Sequence, residues 1–148
     1  MSSPGWEGAR GVVAQARALR ERVVPLAQAD SEAYAEVLAV LQLPAGGRAE
    51  ERDFALGAAL DRAAELPLAI AEAAADVTEL SAHAAFSCDV KVRGEVLTAA
   101  ILAESAVRAA AGLVEINLAT AEGDERLERG RAASAAAAAA LRQVEGTV

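Results

Sequence analysis

Two carboxylates with apolar neighbours are the first candidates for chemistry in this sequence. Asp30 lies in the segment LAQADSEAY and Glu95 lies in VRGEVLTAA. A carboxylate in such surroundings can take up or release a proton in general acid–base catalysis. Each also has a structural interpretation: Asp30 could cap a helix that restarts at Ser31, and Glu95 could place its charge at the beginning of a helix. The residue pattern leaves both interpretations open.

Another polar set lies further along the chain. Asp76, Glu79 and His83 are spaced i, i+3 and i+7, which places them on one helix face. Two carboxylates and an imidazole could bind a metal ion, but one helix seldom supplies a whole site, and the Glu-x-x-His spacing of bundle metal sites is absent. The single cysteine, Cys88, has no adjacent cation that would activate its thiol. We therefore predict neither a metal site nor a catalytic cysteine.

Several large function classes find no support in the sequence. There is no GxxxxGK[ST], GxGxxG, HExxH or GxSxG motif, and these motifs carry nucleotide, hydride-transfer, metalloprotease and serine-hydrolase chemistry. The formal net charge of −8 opposes binding to nucleic acid or to an anionic membrane surface. The sequence has one cysteine, shows no secretory signal, and has no apolar run near the roughly 20 residues that a membrane span needs. We therefore expect a cytoplasmic protein.

The elements that must position these residues are predicted to be helices. Alanine accounts for 41 of the 148 residues, and only four residues are aromatic. Alanine is the strongest helix former and a weak strand former. The length suits one compact domain. We therefore expect a single all-α domain over residues 1–148, with residues 1–8 as a flexible tail.

Apolar residues recur every three or four positions in four segments, which is typical of amphipathic helices. The segments run from about 9 to 41, 49 to 84, 95 to 119 and 125 to 144. Pro25 predicts a kink or a break in the first helix, and Pro67 predicts a kink in the second. The third is apolar on most of its circumference, as is usual at the centre of a bundle or an oligomer. The prediction is an antiparallel up-and-down bundle of four main helices, some kinked by proline.

Three blocks of the sequence, taken in order, resemble a known family. They are LRERVVPLAQADSEAYAEVLAVLQLP, LDRAAELPLAIAEAAADVTEL and VRGEVLTAAILAESAVRAAAGLVEINLA. Over about residues 18–119 the chain is similar to the formiminotetrahydrofolate cyclodeaminase and methenyltetrahydrofolate cyclohydrolase family. The resemblance rests on Asp30 with an aromatic residue four positions later, on Pro67-Leu68, and on the Ile116-Asn117-Leu118 end of the third helix. No single block is specific, so the order of the blocks carries the comparison.

The resemblance implies a function and a set of site residues. The family acts on one-carbon units of tetrahydrofolate, either releasing ammonia from a formimino group to close the methenyl bridge or hydrolysing that bridge to the 10-formyl form. It implies a folate-type substrate, no metal, and a homo-oligomer, most simply a dimer. The implied catalytic carboxylates are Asp30 and Glu95, as general acid or base. The implied substrate contacts are Tyr34, Lys91, Arg93 and Asn117, with Lys91 and Arg93 for the anionic tail of folate.

Two features separate this chain from the family pattern. The family begins with a Gly-rich segment and an additional apolar helix, which the sequence is expected to lack, and it has a Ser-Asp pair where this chain has Gly94-Glu95. A second hypothesis therefore stands beside the enzyme. In that hypothesis the chain is a helical dimer or binding module that keeps the family fold without the active site.

Overall fold

The computed structural model describes residues 8–42, 49–119 and 123–147. Within these ranges the chain forms four α-helices and one 3-10 helix, and no strand. The elements are α1 (Ala9–Leu41), α2 (Ala49–Ser87), a 3-10 turn (Val90–Val92), α3 (Arg93–Asn117) and α4 (Glu125–Glu145). The prediction of an all-α bundle is confirmed. The predicted tail, apart from Gly8, lies outside the described residues.

Both prolines lie inside continuous helices. Helix α1 runs through Pro25, and α2 runs through Pro67. The predicted break at Pro25 therefore does not occur, and Asp30 is an interior residue of α1 instead of the cap of a helix restarting at Ser31. A proline removes only one hydrogen bond of the helix ladder, and the apolar face on both sides of it keeps the helix in place.

The helix at the centre is α2, not the more apolar α3. Helix α2 packs against α1, α3 and α4, whereas α1 packs against α2 alone among the described elements. Two exposed ion pairs show the register of α1 on α2: Arg22 with Asp76 at 2.6 Å, and Glu36 with Arg62 at 3.1 Å. Residue numbers rise along α1 as they fall along α2, so these two helices run in opposite directions.

Alanine forms most of the core. Among the described residues, sixteen of the twenty-two buried hydrophobic residues are alanines. The larger fully buried side chains include Leu68, Val107, Val114 and Val144, one or two to each level of the bundle. Such small side chains let helix axes approach near the lower end of the usual range of about 8–10 Å. The result is a thin core that leaves much of the longer apolar side chains at the surface.

Arg126 ties the beginning of α4 to α2. Its guanidinium contacts the Asp61 carboxylate, donates to the Asp61 carbonyl oxygen at 3.0 Å, and reaches the Glu65 carboxylate at 2.9 Å. It also donates to Asp124, which caps α4 by accepting a hydrogen bond from the Arg126 backbone N–H at 2.9 Å. The side chain of Arg126 is only 14% exposed, so these carboxylates hold its pKa well above its ordinary value. The charged group therefore stays fixed between the two helices.

The capping carboxylate predicts a specific loss of stability in acid. Hydrogen bonds from the Arg126 side chain, and then from its backbone, lower the pKa of Asp124 from 3.8 to about 2. A lowered pKa stabilises the fold above the unfolded value, and this stabilisation is lost as the pH falls from about 4 to about 2. Asp124→Asn keeps a capping oxygen but removes the titration. We expect urea midpoints of wild type and variant to converge through that range, and a constant difference between about pH 5 and pH 2 contradicts the assignment.

Candidate functional site

The two carboxylates proposed for catalysis lie at different levels of the bundle. Asp30 is half-buried in α1, and the flanking ion pairs place it level with about Leu68 of α2. Glu95 lies exposed in the first turn of α3 and faces the part of α2 that includes Ala84. At 1.5 Å per residue these levels differ by roughly 25 Å along α2. Within one chain the structure does not bring Asp30 and Glu95 together.

The basic pair predicted beside Glu95 is divided between two environments. Lys91 is exposed in the 3-10 turn. Arg93 is half-buried, and its Nη1 donates a hydrogen bond to the Thr147 carbonyl oxygen, 2.9 Å away, beyond the end of α4. The Arg93 Nε is buried and finds no hydrogen-bond partner among the described residues. Of the two, Lys91 is the side chain that is free to reach a ligand near Glu95.

Asn117 and Tyr34 also lie apart from Glu95. Asn117 ends α3, 22 residues from Glu95, and its Nδ2 donates to the Ala63 carbonyl oxygen at 2.9 Å. Residue 67 would donate to that carbonyl in an uninterrupted helix, but Pro67 has no N–H. The Asn117 amide therefore supplies the hydrogen bond that the proline removes. Tyr34 is 60% exposed on α1, one turn from Asp30.

Glu95 lines an apolar groove. The groove, of about 470 Å³, is formed by the first half of α1, the second half of α2 and the beginning of α3. Its polar side chains are Arg20 of α1, Ser81 of α2 and Glu95. The remaining lining is apolar: Val12, Ala16, Leu19, Val23, Val77, Leu80, Ala84, Val92, Val96 and Ala99. A mostly apolar cleft of this size with few polar groups is typical of small-molecule sites.

A second, more polar cleft lies on the other side of α1. It measures about 500 Å³ and includes the predicted face of Asp76, Glu79 and His83 together with Arg22 and Gln15. Arg22 neutralises Asp76 through the 2.6 Å ion pair. Within residues 8–42, 49–119 and 123–147, no group of three or more His, Cys, Asp or Glu side chains is placed to hold a metal ion. The cleft therefore offers a mixed polar surface and no metal cage.

Comparison with known proteins identifies the family to which this helical architecture belongs. A family model described as formiminotransferase-cyclodeaminase matches residues 4–136 of the 148. The chain belongs to this family. A search of curated proteins found no match. The match extends beyond the 18–119 segment on which the sequence blocks resemble the family, and it includes both the apolar groove and the polar cleft.

The formiminotransferase-cyclodeaminase family is folate-related. Folate joins a flat pterin ring to an anionic tail. The groove joins an apolar lining to one carboxylate, Glu95, and one guanidinium, Arg20. A carboxylate at the edge of such a groove can take up or release a proton, and a guanidinium can pair with an anionic group.

Sequence reasoning did not single out Arg20. It lies next to Leu19 at the edge of the apolar row of α1, where a charged residue ordinarily belongs to the solvated face. One signal was available, because Arg20 follows Ala16 by four positions and so shares its side of the helix. This spacing indicates that Arg20 lines the groove only when it is known that Ala16 faces α2 and α3, which the sequence does not show.

Proposed function

We propose that the chain binds a tetrahydrofolate-type ligand in the apolar groove and acts there as a cyclodeaminase or methenyltetrahydrofolate cyclohydrolase in the cytoplasm. The observation that carries the proposal is the position of Glu95 in the lining of a groove of about 470 Å³ that is otherwise nearly all apolar. Family membership supports the folate ligand. The size and apolar lining of the groove support it as the position of the binding site.

Glu95 has a defined role in either reaction. In cyclodeamination the second folate nitrogen attacks the formimino carbon, and Glu95 carries the proton that this nitrogen loses to the amino group, which leaves as ammonia as its C–N bond breaks. In hydrolysis the Glu95 carboxylate accepts a proton from the water that attacks the methenyl carbon. Arg20 lines the groove and pairs with a carboxylate of the anionic tail, and Lys91 of the 3-10 turn, four positions before Glu95, serves the same tail. Asp30 and Tyr34 lie at another level, so in one chain they serve no step at the same carbon.

Ligand binding is tested by thermal unfolding with folinate. A ligand that binds only the folded chain raises the melting temperature once its concentration exceeds the dissociation constant. We expect such a rise for wild type and its loss in Ala16→Phe, because the ring fills the apolar groove. Ala18→Phe is the matched control, since Ala18 is also on α1 but lines the polar cleft.

The outcomes separate the possible functions. No rise with millimolar folinate contradicts the proposal, and loss of the rise in Ala18→Phe alone moves the site to the polar cleft. Turnover is followed by the absorbance of methenyltetrahydrofolate and by ammonia release from formiminotetrahydrofolate. Binding in the groove without either reaction identifies the chain as a non-enzymatic binding module of the family.

A further inference from the structure

The polar cleft between α1 and α2 contains a carboxylate that pairs with no cation of the described chain. From Asp61 to the end of α2 the sequence has five acidic residues. Four of them form ion pairs with arginines of the neighbouring helices: Asp61 and Glu65 with Arg126, Glu72 with Arg129, and Asp76 with Arg22. Glu79 is the fifth. Within residues 8–42, 49–119 and 123–147, no Lys, Arg or His side chain forms an ion pair with it.

The register of α1 on α2 shows why Glu79 has no partner. The two helices are antiparallel, and the ion pair between Arg22 and Asp76 joins them at one end of the cleft. One turn further along α2 is Glu79, and one turn back along α1 is Ala18. Both residues line the cleft. At the level of Glu79, α1 therefore presents a methyl group, whereas at the level of Asp76 it presents a guanidinium.

The rest of the cleft defines the shape of a ligand that would supply the positive charge. Beside Glu79 the lining is apolar and comes from Leu19 of α1 and Leu80 of α2. His83 lies one turn beyond Glu79, about 6 Å along α2, and Gln15 lines the same end of the cleft on α1. A carboxylate, an apolar surface and two hydrogen-bonding side chains thus follow one another in a cleft of about 500 Å³.

The charge of the cleft favours an organic cation over a metal ion. Calcium and magnesium ions take about six or more oxygen ligands, often from several carboxylates. Here Arg22 already neutralises Asp76, so Glu79 is the one unpaired carboxylate among the described residues of the cleft. One carboxylate balances one ammonium group, and the apolar lining suits a carbon chain.

We propose that the polar cleft binds a small primary ammonium compound with a single positive charge and a chain of about four carbon atoms that ends in a hydroxyl group. The ammonium group pairs with Glu79. The carbon chain lies on Leu19 and Leu80. An extended chain of this length spans about 6 Å, so the hydroxyl group reaches the end of the cleft formed by His83 and Gln15.

This site is distinct from the one proposed for folate. Leu19 and Leu80 line both the cleft and the apolar groove, so they form the wall between the two. Glu79 lines only the cleft, and Glu95 lines the groove and not the cleft. The ammonium site therefore does not depend on the folate ligand.

Nuclear magnetic resonance of the His83 ring tests the binding of 4-aminobutan-1-ol. His83 is the single histidine of the sequence, so its ring signals report on the cleft directly. The titration is run at constant ionic strength and at about pH 8, where a primary amine carries its proton. We expect a saturable shift with a dissociation constant in the millimolar range, because an ion pair open to solvent is weak. Butan-1-ol, which lacks the ammonium group, should bind at least about tenfold more weakly.

Two substitutions test the role of Glu79. Glu79→Gln should weaken the binding of 4-aminobutan-1-ol at least about tenfold, because glutamine keeps the size but loses the charge. Ala18→Arg should abolish binding, because its guanidinium stands opposite Glu79 as Arg22 stands opposite Asp76. Glu21→Gln is the matched control and should bind as wild type does. Glu21 is an exposed carboxylate of α1 that lines a different depression, so its loss changes the net charge alone.

Four outcomes overturn the proposal. They are no saturable shift up to about 100 mM amine, equal shifts with butan-1-ol, unchanged affinity in either Glu79→Gln or Ala18→Arg, and equal weakening in Glu21→Gln. The last result would assign the effect to net charge. None of these measurements uses folinate, so failure of the ammonium site and failure of the folate site are observed separately.

Discussion

Glu95→Gln is expected to lower the rate of methenyltetrahydrofolate hydrolysis at least about a hundredfold, because glutamine fills the same space but neither accepts nor donates the proton that the reaction moves. The substitution should leave the fold intact. Glu95 is exposed in the first turn of α3 and loses there only a modest interaction with the helix terminus. The rate is measured from the decrease in methenyltetrahydrofolate absorbance with that compound as the substrate. Circular dichroism checks that the variant is folded.

Asp30→Asn is the matched control for this experiment. It removes the other carboxylate that the sequence proposed, at a level roughly 25 Å away along the bundle. We expect Asp30→Asn to retain the wild-type rate and the folinate-induced rise in melting temperature. Equal rates in wild type and Glu95→Gln remove the carboxylate mechanism. A loss in Asp30→Asn comparable with that in Glu95→Gln places the reaction where two chains meet, since one chain keeps the two residues apart.

Asn117→Asp is expected to destabilise the bundle by about 1–3 kcal/mol, because it leaves the buried Ala63 carbonyl oxygen without a donor. Aspartate has the shape of asparagine but has no N–H to donate, so the effect combines the lost hydrogen bond with repulsion between the carboxylate and the Ala63 carbonyl oxygen. In a chain of this size such a change lowers the melting temperature by several degrees. Urea unfolding followed by circular dichroism gives the free energy directly.

The Pro67→Ala variant tests whether the Asn117 amide replaces the hydrogen bond that Pro67 removes from α2. Alanine at position 67 restores the backbone N–H that would donate to the Ala63 carbonyl oxygen. Replacing Asn117 by alanine should therefore cost less in the Pro67→Ala protein than in wild type. The four proteins form a double-mutant cycle, and the coupling free energy should be of the order of 1 kcal/mol. An equal cost in both backgrounds shows that Asn117 does not compensate for the proline.

The sequence predicted the elements well and their contacts poorly. The four apolar patterns located the helices to within a few residues, and Asp124 is the N-cap of α4, which begins at the predicted Glu125. The prediction that Asp30 could cap a helix restarting after Pro25 was wrong, since α1 continues through both residues. Whether a proline breaks a helix depends on the packing around it, and the local sequence does not contain that packing.

The residues of the candidate site could be predicted from the sequence only in part. Glu95 was identified from its apolar neighbours, and the structure places it in a groove. Arg20 was missed because its meaning depends on which side of α1 faces α3. Asn117 was proposed as a ligand contact, while the structure gives its amide a partner in Ala63. The Ala63 carbonyl oxygen lacks a helical donor because residue 67 is proline, and the Asn117 amide reaches it only because of the register in which α3 packs on α2.

The sequence alone determined the all-α class, the positions of the helices and, through the order of its blocks, the family. Those properties depend on spacing within a few residues along one chain, where helical geometry is the same in every context. Only the tertiary structure decided that α2 is central, that Asp30 and Glu95 lie far apart, and that no other described element covers the outward apolar face of α3. Those properties depend on the register between helices, which the spacing of apolar residues along one helix does not specify. With alanine at most contacts, many registers have a similar apolar pattern, and the few larger residues such as Leu68, Val107 and Val144 select among them.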